Sequence, residues 1–116
     1  MGTASLQIYD TQTGEIETVL NEDRHIEAPN WMPDGKALLV NWSGGLYRVD
    51  LAAPELLRIN TVVCNLLNND HGPSPDGRQI AICDKLDSKK SCIYLVPADG
   101  GQPQRVTQNV PSWVHA

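Results

Sequence analysis

Short apolar runs alternate with polar, turn-forming clusters along the whole chain. Ala37-Leu38-Leu39-Val40 and Ile80-Ala81-Ile82 are nearly continuous apolar stretches, and each follows a Pro-Asp-Gly turn. Proline presets φ, aspartate bonds its own backbone, and glycine accepts positive φ without a Cβ clash. Runs of this length predict strands buried on both faces. Leu46-Tyr47-Arg48-Val49-Asp50 and Ile93-Tyr94-Leu95-Val96-Pro97 read as the next strand in each case. Glu17-Thr18-Val19-Leu20 and Gln104-Arg105-Val106-Thr107 mix apolar with polar side chains, as a strand at a wet edge does. Helical periodicity is weak throughout. The stretch from Asn60 to Asn69 could hold one helical turn, but its composition favours an extended connection.

The strands repeat. Pro33-Asp34-Gly35-Lys36 aligns with Pro75-Asp76-Gly77-Arg78 at a spacing of 42 residues. The strand at Leu6-Gln7-Ile8-Tyr9-Asp10 recurs 40 residues later at Leu46 and again 47 residues later at Ile93. Val19, Ile59 and Val106 follow the same two spacings. The extra length falls around Asp87-Ser88-Lys89-Lys90, a connection, where insertions are tolerated. Repeats of about 40 to 45 residues with four strands each are the blades of a β-propeller. The expected fold is therefore all-β, with blades of four antiparallel strands.

The repeat boundaries divide the 116 residues as follows. Residues 1–21 hold the third and outer strands of a split blade, 27–61 a full blade, 68–109 a second full blade, and 110–116 the innermost strand of another. About two and a half blades do not make a ring of four to eight. An incomplete ring exposes inter-blade faces and strand edges, which invites association. A closed homo-oligomer is the expectation, with a dimer favoured and a truncated or open arrangement as the alternative.

Pro29-Asn30-Trp31-Met32-Pro33-Asp34-Gly35-Lys36 resembles the signature of the TolB-like propeller repeat, P-x-W-S-P-D-G-K followed by an apolar strand. The segment from Asn68 to Gly77 is a second copy, and Asp99-Gly100-Gly101 before Arg105-Val106-Thr107 is similar to the family's outer hairpin. Pro111-Ser112-Trp113-Val114-His115 looks like the start of another copy. The resemblance covers nearly the whole chain and departs from the pattern at Met32 and Pro73. It implies membership of a family whose complete members have about six blades. TolB itself is periplasmic and acts through protein contacts, while some relatives are oligogalacturonate lyases that use metal and histidine.

The net charge of −5 leaves no basic face for nucleic acid, and Lys89-Lys90 reads as a solvated hairpin tip. No segment is long and apolar enough to cross a membrane. The N-terminus lacks a charged stretch followed by an apolar one, so no signal peptide is visible. The default location is the cytoplasm, whereas the resemblance points to the periplasm. Cys64, Cys83 and Cys92 show no C-x-x-C spacing, so they support neither a zinc site nor a disulfide framework. Cys83 and Cys92 could face one another across a hairpin.

Asn69, Asp70 and His71 fall where the chain enters an innermost strand, near the central channel. They are candidates for ligand or partner contacts at the channel mouth, or for hydrogen bonds that stabilise the blade junction. His115 follows His71 by 44 residues and could occupy the same place in the next blade. His71 and His115 are the weak candidates for a metal. Trp31 and Trp113, on innermost strands, are candidate partner contacts, whereas Trp42 suits blade packing and His25 a solvated connection.

No nucleophile elbow or phosphate-cradling glycine loop is present, and no cofactor is expected. The expectation is a non-catalytic module that binds a protein or carbohydrate at the channel face and assembles into a ring. The alternatives are a metal-assisted, lyase-like carbohydrate-active enzyme using the channel histidines, and a structural fragment without an independent role.

Overall fold

The computed structural model describes residues 4–62, 64, 66–84 and 92–106. These residues form strands and no helix. A two-stranded ribbon comes first, β1 (Ala4–Tyr9) with β2 (Ile16–Glu22). Two four-stranded antiparallel sheets follow. The first is β3 (Glu27–Trp31), β4 (Ala37–Trp42), β5 (Gly45–Asp50) and β6 (Ala53–Ile59). The second is β7 (His71–Pro73), β8 (Gln79–Asp84), β9 (Cys92–Pro97) and β10 (Gln104–Arg105). Each sheet runs in chain order, which is the meander of a propeller blade.

The Pro-Asp-Gly turns build both blades alike. Gly35 donates to the Met32 carbonyl and Gly77 to the Ser74 carbonyl, each at 2.9 Å. Asp34 and Asp76 each accept from the backbone two residues on, again at 2.9 Å. The glycines sit at φ 71° and 74°, a conformation that side-chain-bearing residues rarely adopt. Ser43-Gly44 links β4 to β5 with positive φ at both positions, the two-residue turn whose twist matches a hairpin. Pro29 and Pro73 interrupt no ladder, because β3 and β7 pair on one side only.

The middle blade is buried on both faces, which explains the continuous apolar run in β4. Leu38, Val40, Tyr47 and Val49 pack against Leu6 and its ribbon neighbours. Ala37, Leu39 and Leu46 pack against Ile80, Ile82, Tyr94 and Val96 of the second blade. Leu39, Leu46, Ile80 and Ile82 are fully shielded from solvent. Burying one such side chain contributes roughly 1.5–3 kcal/mol.

The register corrects one expectation. Cys83 lies opposite Ile93, and Cys92 lies opposite Asp84. Directly opposed residues share a face and neighbours alternate, so Cys83 and Cys92 point to opposite sides of the sheet. They cannot bridge; all three cysteines are buried and none is in a disulfide.

Candidate functional site

The two blades meet along β3 and β7, and a chain of polar side chains crosses the seam. It begins with a bulge. Glu27 pairs with Asn41 and Asn30 with Leu39, so β3 carries one extra residue between these pairs. Ala28 absorbs it at φ 53°. Bulges re-aim side chains, and here Asn30 turns toward the second blade. Its Nδ2 donates to the His71 carbonyl at 2.8 Å and lies 3.3 Å from His71 Nδ1.

His71 is 1% exposed. Its other ring nitrogen, Nε2, lies 3.1 Å from Asn41 Oδ1. Asn41 Nδ2 donates to Asn69 Oδ1 at 2.8 Å, and Asn69 Nδ2 donates to Glu27 Oε2 at 2.8 Å. The chain thus runs from a buried imidazole to an exposed carboxylate, crossing between the blades three times. Burial pushes the His71 pKa down to about 4, against a smaller upward pull from the Asp70 carboxylate. A neutral imidazole with amides at both nitrogens is the form this environment holds.

The outer end of this chain opens into a cleft of about 490 Å³, lined by Glu27, Asn41, Ser43, Asn68, Asn69 and Asp70 among others. The cleft lies where the β4–β5 hairpin meets the connection into β7. That connection is pinned by its backbone: Leu67 donates to the Gly44 carbonyl at 3.1 Å, and Leu66 donates to Asp84 Oδ2 at 2.8 Å. Asn68 Oδ1 accepts from the Asp70 backbone at 2.9 Å. His25 Nε2 stands 3.7 Å from Glu27 Oε1 at the solvent side. The ionisable groups lining the cleft are the carboxylates of Glu27 and Asp70.

Asn69 and Asp70 therefore line the cleft, while His71 points inward beneath it. Trp31 is brought to neither. It is 48% exposed and borders a separate groove of about 160 Å³ with Leu6, Ile8, Tyr9, Pro29 and Leu38. Trp42 lies 6.3 Å from the Tyr47 ring, with the Arg24 guanidinium 5.4 Å over its own ring. Trp113 and His115 lie outside the described residues. Both ring nitrogens of His71 face asparagines, so a metal could bind it only by breaking the seam. Among the described residues, no group of three or more His, Cys, Asp or Glu side chains could hold a metal ion.

Glu27, Asn30 and Asn41 belong to the site without having been singled out in the sequence. Asn41 left a signal: an amide closing the apolar run Ala37-Leu38-Leu39-Val40 needs a partner once buried.

Comparison with known proteins agrees with this architecture, although no family model matches the chain. An uncharacterized protein of Agrobacterium fabrum is 45% identical over 113 residues, 97% of this chain and 39% of the relative. A solved structure assigned to TolB from Agrobacterium tumefaciens superposes with a TM-score of 0.92 at 45% identity, covering 96% of this chain and 40% of that one. TolB from Acinetobacter baumannii gives a TM-score of 0.68 at 26% identity, covering 90% of this chain and 26% of that one. The tricorn protease, at 22% identity and a TM-score of 0.64 over 91% of this chain and 11% of its own, shares the fold alone. The chain spans about two fifths of the length of its Agrobacterium relatives. With its meandering four-stranded sheets and these neighbours, the chain is a section of a TolB-like β-propeller.

Proposed function

We propose that this chain is a non-catalytic binding module that engages a protein or a carbohydrate at the channel-mouth cleft. The observation that carries this reading is the convergence of Glu27, Asn41, Asn69 and Asp70, from two blades, on one open polar cleft. A rigid floor lowers the cost of ordering polar groups on binding. Carboxylates and amides suit sugar hydroxyls or the donor side chains of a protein. Chemical-shift mapping tests the reading, with cellotriose and an arginine-bearing peptide as probes. Perturbations at Ser43, Gly44 and Asp70 that vanish in Asp70→Lys support it. Perturbations elsewhere, or none with either probe, count against it.

We also propose that copies of the chain associate into a closed ring, a dimer in the simplest case. Among the described residues, β1 pairs along one edge only, which supports this. β1 pairs with β2 on one side, and the groove with Trp31 and Tyr9 at its rim lies along the other. In the full blades the matching place, beside β5 and β9, is filled by β4 and β8. An unpaired edge beside exposed aromatics favours strand addition.

A further inference from the structure

The hydrogen bonds across the blade seam have one allowed direction. At one end, the His71 carbonyl can only accept, so Asn30 must present its amino group there. The same amino group faces His71 Nδ1, which must therefore be the unprotonated, accepting nitrogen. The ring proton then sits on Nε2 and is donated to Asn41 Oδ1. At the other end, the Glu27 carboxylate can only accept, so Asn69 must turn its amino group to it. Asn69 Oδ1 then requires the Asn41 amino group, which leaves Asn41 Oδ1 for the imidazole. Read from either end, the chain demands the same tautomer.

We propose that His71 is the positioning residue of the cleft: its Nε2 proton fixes the directions of Asn41 and Asn69 and so holds the Glu27 carboxylate at the cleft wall. This rests on the cleft being the binding surface. The opposite tautomer would reverse each amide in turn. Asn69 would then set its carbonyl oxygen against the Glu27 carboxylate, acceptor against acceptor, and Glu27 would swing away. The cleft wall therefore offers an acceptor to ligand hydroxyl or ammonium groups because of a proton buried beneath it.

Nuclear magnetic resonance of 15N-labelled protein at neutral pH tests this without any ligand. Long-range 1H–15N correlations are expected to show His71 in the Nε2–H form alone; the Nδ1–H form or a mixture overturns the proposal. Asn41→Asp retains an acceptor for the imidazole but has no donor for Asn69. It is expected to leave the His71 tautomer unchanged and to move the Asn69 side-chain amide signals. His71→Gln, whose amide can reach Asn41, is expected to keep the Asn69 signals near their wild-type positions, while His71→Phe displaces them. Unmoved Asn69 signals in His71→Phe or Asn41→Asp would mean that His71 only fills space. Because no probe molecule is used, a failure here is separate from a failure of the cleft to bind cellotriose or peptide.

Discussion

Asn30 grips His71 at two points with one amino group, 2.8 Å from the His71 carbonyl oxygen and 3.3 Å from its Nδ1. The two residues belong to different blades, so this contact is a rivet between sheets. Asn30→Ala leaves a buried carbonyl and a ring nitrogen short of a donor. Such losses cost about 1–3 kcal/mol, and urea unfolding is expected to show a drop of that size. Gln7→Ala, at an exposed 3.3 Å side-chain contact, is expected to change stability by no more than about 0.5 kcal/mol.

The same burial makes stability depend on pH. His71 is held at about 4 in the folded chain, against an ordinary value of 6.5. The unfolded chain therefore takes up a proton as pH falls through 6.5, while the folded chain resists until about 4. Stability is full above this window and declines through it, by roughly 3 kcal/mol if the shift is realised in full. Urea midpoints measured between pH 7 and 5 are expected to fall for wild type and to stay nearly level for His71→Gln. The depressed carboxyls of Asp10, Glu22 and Asp76 act at lower pH and are common to both proteins.

The Pro-Asp-Gly turns offer a purely conformational test. A Cβ at Gly35 meets nothing within 4 Å, and one at Gly77 meets only Pro33 at ordinary contact distance. Gly35→Ala and Gly77→Ala are thus expected to destabilise through positive φ alone, by about 1–2 kcal/mol each. Thermal unfolding of the two variants should give similar shifts, because the two turns are built alike.

Much of this was readable in the sequence. The turns at Gly35 and Gly77 depend on three or four adjacent residues, so the blades could be counted from them. The same repeat sets Asn69 and Asp70 at the entry to an innermost strand, on the segment that lines the cleft. The partners of His71 were hidden for a physical reason. Asn30 reaches it only because a bulge at Ala28 shifts β3 by one residue, and Asn41 only because two sheets stack in one register. Neither relation has a spacing signature. Trp31, a candidate partner contact on an innermost strand, borders the groove beside β1 and not the cleft, a placement that depends on how the ribbon packs against the first blade.

The opposed faces of Cys83 and Cys92 predict chemistry as well. Titration with a thiol reagent should find three reactive thiols in denaturant and almost none in the native protein, where all three are buried. A count of one in denaturant would mean a bridge that the register forbids.

Ring closure gives the most direct test of the functional account. Multi-angle light scattering of the purified chain is predicted to return twice the 12.7 kDa chain mass. Trp31→Glu at the groove rim is expected to return it to a single copy. A monodisperse single-copy mass for the unmutated chain across micromolar concentrations would contradict the account.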